Sequence, residues 1–134
     1  MIIKNDKLLD TFRGPGFCEL CKKPCPVRTP HHVYERGIGG ARRLDVSLNL
    51  LALGPVYVCK CHDKYHSHDI SRAKCLEAVA RREGSTAEDV QMVLLWLINL
   101  PAMLTPLRLA EAMEKLTPEQ QRLAEKALRD GGKE

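Results

Sequence analysis

The 134-residue chain suits one small domain with an appendage, and its longest apolar run, Val93 to Ile98, is far below the roughly 20 residues that cross a bilayer. Only six residues are aromatic, so the core is expected to be aliphatic. The net charge of +4 is uneven: residues 1–84 carry 15 Lys/Arg against 9 Asp/Glu, residues 85–134 carry 6 against 8, and the basic part suits a polyanionic partner such as DNA.

The start, MIIKNDKLLD, lacks the basic opening and apolar stretch of a signal peptide. A soluble intracellular protein is expected, in which close cysteine pairs are better read as metal ligands than as disulfides. LLDTFR can form a short helical turn, which Gly14-Pro15-Gly16 would stop. Phe17-Cys18-Glu19-Leu20-Cys21 has the spacing of a zinc knuckle, a tight turn that places two thiolates on one ion. Lys22 to Pro30, basic and proline-rich, reads as a loop, and His31-His32-Val33-Tyr34 as a short strand. Gly37-Ile38-Gly39-Gly40 with Arg42-Arg43 is a flexible basic loop. Asn49 to Leu53 leads toward a second strand, Val56-Tyr57-Val58 reads as strand, and Cys61-His62 would open a helix.

The remainder reads as helical. Ile70 to Glu83 has apolar residues near helical spacing, and Gly84 closes it. Ser85 to Asp89 looks like a capped start for the apolar stretch Val90 to Leu100, which Pro101 ends. Thr105-Pro106 and Thr117-Pro118-Glu119 are two more cap-plus-proline starts, each opening an amphipathic helix. The fold class expected is α+β: a small ββα unit over residues 1–70, followed by a helical extension over residues 71–134 that packs on it or joins two copies.

Four of the five histidines and five of the six cysteines fall between residues 18 and 66. Imidazole and thiol are scarce ways to fill space but the usual ligands for zinc and other divalent ions. Adjacent histidines on a strand point in opposite directions. His31 can therefore bind a metal while His32, with an ordinary pKa of roughly 6.5, takes a proton from water. His62 and His66, four apart on a helix, share a face and could complete a three-histidine site with open positions. The Asn49 amide can donate and accept, so it could pin the loop and orient the His32 ring; an ordinary turn asparagine is the plainer alternative. Cys75 falls in the apolar pattern of a helix and reads as a buried free thiol.

The order HH–x–x–x–x–G–x–G–G, N–L–x–x–L and C–H–x–x–x–H, preceded by C–x–x–C, resembles the HNH endonucleases with a ββα-metal finger, in particular the small zinc-containing forms of phages and prophages. The resemblance covers residues 18–70. It implies a phosphodiester hydrolase acting on DNA in a bacterial or phage-infected cytoplasm, leaving 5′-phosphate and 3′-hydroxyl ends. His31, His62 and His66 would hold the catalytic divalent ion (Mg²⁺, Mn²⁺, Ni²⁺, Co²⁺ or Zn²⁺), His32 would be the general base, and Asn49 would hold the loop and the base in place. A structural zinc would use Cys18, Cys21, Cys59 and Cys61. Cys59-Lys60-Cys61 departs from the family's C–x–x–C, with Gly54 where a cysteine would be expected, and a set with Cys25 in place of Cys59 is the alternative.

Arg36, Arg42, Arg43, Lys60, Lys64 and Arg72 surround this set and would contact phosphates without reading bases. His68, past the motif, is read as a solvent or phosphate contact. The apolar helix with Trp96 could pack against a second copy, giving a homodimer with two sites. A zinc-binding DNA or protein adaptor without catalysis is the competing functional class.

Overall fold

A computed structural model of the chain describes residues 1–40, 42–55, 57–61 and 70–131. It is a small α+β protein: short N-terminal strands with a cluster of four cysteines, then four C-terminal helices. The first helix, α1 (Asp6–Thr11), is capped by Asn5, whose Oδ1 accepts from Leu8 N–H at 3.0 Å. Strands β1 (Gly16–Phe17) and β2 (Pro24–Cys25) pair antiparallel, with Gly16 opposite Cys25. Strands β3 (Thr29–His32) and β4 (Leu50–Leu53) pair antiparallel, placing His31 opposite Leu51 and His32 opposite Leu50.

The strand pattern differs from the sequence expectation in two places. Lys22 to Pro30 is not one loop, because β2 and the start of β3 lie within it. The partner of the histidine strand is Leu50–Leu53 rather than Val56-Tyr57-Val58; Tyr57 to Cys59 lie in a turn, and Val56 falls outside the described residues. The physical reason is burial. All four residues of β4 are inaccessible on both faces, so Leu-Leu-Ala-Leu takes the strand position that removes most apolar surface from water. The N–H groups of Val58, Cys59 and Lys60 instead all point to the Pro55 carbonyl, at 3.0 to 3.2 Å.

The four C-terminal helices start one residue after a hydroxyl cap, the first of them two residues later than expected for the helix read from Ile70. Ser71 caps α2 (Arg72–Glu83), which Gly84 closes in the left-handed conformation at φ 67°. Thr86 caps α3 (Ala87–Asn99), and Thr105 caps α4 (Pro106–Met113) with proline in its first turn. At α5 (Pro118–Gly131) the Thr117 hydroxyl accepts from Gln120 N–H at 3.2 Å while the Gln120 side chain accepts from Thr117 N–H at 3.1 Å. This reciprocal capping box satisfies two orphan donors at once.

One hydrophobic core runs through the chain. It joins Val33, Leu44, Val46, Leu51 and Leu53 to Leu76 and Val79 of α2, to Val90, Val93, Leu94 and Leu97 of α3, and to Leu123 and Ala127 of α5. Trp96 packs at its edge, donating Nε1–H to Ala112 O at 3.2 Å. No helix among the described residues is long and apolar enough to cross a membrane.

Candidate functional site

Two sites emerge, a four-thiol centre and a histidine cavity. In the first, the sulfurs of Cys18, Cys21, Cys59 and Cys61 all lie within 4.8 Å of one another. Two turns bring them together. Cys18 N–H donates to Lys23 O at 2.9 Å and Lys22 N–H to Cys18 O at 2.8 Å, closing the knuckle, with Lys22 left-handed at φ 67°. The second turn folds onto the Pro55 carbonyl, and Lys60, left-handed at φ 60°, turns Cys59 and Cys61 toward one point despite their one-residue spacer.

Gly54 is required by close approach. A Cβ there would overlap Cys59 Sγ and would sit 3.0 Å from Cys25 Sγ. A side chain at position 54 would therefore displace the Cys59 thiol from the group of four. Cys25 is buried against this centre, its Sγ donating to Lys23 O at 3.3 Å, and it lies outside the group of four. Glu19 fastens the knuckle to β4: its N–H donates to Ala52 O at 2.9 Å, and its carboxylate accepts from Ala52 N–H at 3.1 Å and from Arg82 at 2.7 Å.

The donor set fits a tetrahedral thiophilic ion, for which Zn–S bonds of about 2.3 Å put the sulfurs roughly 3.8 Å apart. Burial opposes ionisation of Cys18, but the N–H groups of Cys21, Gly54 and Leu20 outweigh it and bring that thiol down to about 7. Burial pushes Cys59 and Cys61 up, so without an ion these two keep their protons at neutral pH. Ion binding would release them. Cys75 is buried in α2, and burial raises its thiol to about 11, which keeps it inert at neutral pH.

The second site is a cavity of about 630 Å³ lined by Pro30, His31, His32, Glu35, Arg36, Gly37, Ile38 and Arg42. Both histidines of β3 are nearly inaccessible, and both line it. His32 Nε2 lies 2.7 Å from Asp45 Oδ1. A carboxylate only accepts, so Nε2 carries the hydrogen and Nδ1 is left as the proton-accepting atom of the ring.

Asp45 is fully buried and heavily tied. Its Oδ2 accepts from Asn5 N–H at 2.8 Å and from Arg43 Nε at 2.8 Å, with Arg43 Nη2 at 2.6 Å. Burial raises this carboxyl, but Arg43, the Asn5 N–H and His32 together hold it below the usual carboxylate range. Burial, aided by the Arg36 and Arg43 charges, lowers His32 against the pull of Asp45, which keeps the ring neutral at neutral pH.

Asp45 is the functional candidate that sequence reasoning missed. Its signal was an acidic residue four before Asn49 in an otherwise apolar stretch, Leu44-Asp45-Val46-Ser47-Leu48. Asn49 pins the loop, and among the described residues its amide makes no hydrogen bond to His32. Its Oδ1 accepts from Tyr34 N–H at 2.8 Å, and its Nδ2 donates to Tyr34 O and Leu44 O, both at 3.1 Å. The His32 ring is held by Asp45 instead, while the three hydrogen bonds of the Asn49 amide close residues 34–44.

The basic residues divide. Arg36 and Arg42 line the cavity, and neither forms an ion pair among the described residues. Arg43 is committed to Asp45 and, at 3.1 Å, to Asp6. Arg72 stacks over the Tyr34 ring at 4.4 Å and donates to Val33 O at 3.4 Å. Lys60 is exposed on the thiol turn. His62, Lys64, His66 and His68 lie outside the described residues, so His31 and His32 are the histidines whose placement is known. Comparisons with protein-family models, with curated proteins and with solved structures find no match.

Proposed function

We propose that the chain is a metal-dependent DNA endonuclease of the HNH type, built on a zinc-stapled ββα-metal finger. The observation that carries this reading is the buried His32–Asp45 pair, 2.7 Å apart, at the wall of a cavity lined also by His31, Arg36 and Arg42. A neutral imidazole at a cavity wall, held from behind by a buried carboxylate, is an arrangement suited to water activation.

In this mechanism His32 Nδ1 takes the proton of the attacking water, and Asp45 holds the ring in the tautomer with Nε2 protonated and steadies the charge that develops on it. Arg36 and Arg42 hold phosphate oxygens. His31, with His62 and His66, would hold a divalent ion that stabilises charge on the scissile phosphate and the leaving 3′ oxygen. Zinc at the four thiolates would fasten the two thiol turns to each other at the edge of the core.

The test is nicking of supercoiled plasmid across a series of divalent ions, with His32→Ala beside the wild type. The reading expects cleavage that needs added metal and vanishes in folded His32→Ala. A three-histidine site also expects Mn²⁺, Co²⁺ or Ni²⁺ to outperform Mg²⁺, which prefers oxygen ligands. DNA binding without cleavage under any ion leaves the adaptor reading. Equal cleavage by both proteins removes His32 as the base. Two copies joined through the C-terminal helices would place one site on each strand, and a monomeric mass by light scattering removes the dimer.

A further inference from the structure

Between the histidine strand and Asp45 the chain builds a projection whose tip the cleavage mechanism does not use. Ile38 stands at its tip, 97% exposed, on the rim of the cavity that holds His31 and His32. The projection is constructed rather than slack. Gly37, Gly39 and Gly40 have φ of 73°, 65° and 77°, which side chains rarely tolerate. Gly40 N–H donates to Gly37 O at 3.3 Å, Arg42 N–H to Arg36 O at 2.7 Å and Arg43 N–H to Gly40 O at 3.1 Å, while Asn49 clamps the base of the loop at Tyr34 and Leu44. A Cβ on Gly39 or Gly40 would meet nothing within 4 Å, so the tip stands clear of the protein. Arg36 and Arg42 flank it.

We propose that Ile38 is a wedge that enters the minor groove of duplex DNA and opens a base step, while Arg36 and Arg42 grip the flanking phosphates. This inference rests on the endonuclease reading and names its substrate as a locally unstacked duplex. Minor-groove proteins insert an apolar side chain between base steps and unstack them, with Arg and Lys beside it in the groove. A single strand would call instead for aromatic stacking platforms. The aromatic ring nearest in sequence, Tyr34, is covered by Arg72 and its hydroxyl accepts from Gln91 at 3.1 Å. A-form RNA presents a wide, shallow minor groove lined with 2′-hydroxyls, which gives such a wedge little to part.

The experiment uses the full chain carrying His32→Ala, so that DNA stays intact, and short duplexes in which 2-aminopurine replaces every adenine of one strand. Binding is expected to raise the fluorescence as bases unstack. Adding Ile38→Ala abolishes the rise and weakens duplex binding about tenfold, the scale of one aliphatic side chain leaving an apolar contact. Ile38→Phe keeps the rise. Single-strand affinity is unchanged by Ile38→Ala, because a single strand offers no base step to part. Arg36→Ala lowers affinity and its salt dependence but keeps the rise at saturation. Duplex binding with flat fluorescence, an equal rise in Ile38→Ala, or tighter binding to single strands overturns the wedge and leaves the nuclease reading standing. Failure to bind either nucleic acid overturns both.

Discussion

A carboxylate sealed from water survives only when its lone pairs are answered, and Asp45 is answered by Arg43, by the Asn5 N–H and by His32. Replacing it by asparagine keeps the shape but leaves Arg43 with only the exposed Asp6 as counter-charge. Asp45→Asn is expected to lower stability by about 3 kcal/mol, read by urea unfolding, and to cut plasmid nicking about a hundredfold in the protein that remains folded. The same pair sets an acid limit. Burial lowers His32, so the folded state binds fewer protons than the unfolded chain; stability is complete above the ordinary histidine value of roughly 6.5 and falls as pH drops through it toward the folded value. Asp45, also lowered, adds a second loss at still lower pH, as its carboxylate is protonated. Calorimetry from neutral to acid pH should show the first loss in the wild type, and His32→Gln should flatten it.

Among the elements, the two thiol turns show how backbone conformation decides a ligand set. Cys59-Lys60-Cys61 looks too short for a knuckle in sequence, yet a left-handed Lys60 and three N–H groups gathered on Pro55 O bring both sulfurs inward. The turn also needs an empty position at Gly54. Gly54→Ala would push Cys59 Sγ aside, and zinc retained against a chelator is expected to fall about tenfold or more. An unchanged zinc content would show that the turn can give way. Cys25 lies on the same glycine, so the alternative ligand that sequence left open sits beside the centre but outside the four. The helix starts at Thr105 and Thr117, by contrast, were legible to the residue, and that at Thr86 to within a residue or two, because these hydroxyls act on N–H groups three positions away; the Ser71 cap was not read from the sequence.

Across the whole molecule, the C-terminal helix is tied to the loop that ends at Asn49. Asp130 Oδ2 accepts from Ser47 N–H at 2.9 Å and Ser47 Oγ at 3.0 Å, and its carbonyl accepts from Asn5 Nδ2 at 2.7 Å. Asn5 in turn donates to Asp45, so α5 supports the residue that positions His32. Asp130→Ala is expected to cost about 2 kcal/mol, with the unfolding midpoint in urea as the measure, and to leave the four-thiol centre loaded with zinc. The sequence by itself determined the α+β class, the capped C-terminal helices and the Cys18–Cys21 knuckle, since caps, short turns and apolar periodicity are local properties, whereas the choice of Cys59 over Cys25 waited on the fold. Tertiary structure alone decided that Leu50–Leu53 pairs with the histidine strand, that Asp45 rather than Asn49 holds His32, and that Arg43 and Arg72 are spent within the protein. Those outcomes depend on which groups are buried together, and burial is settled by residues far apart in the chain.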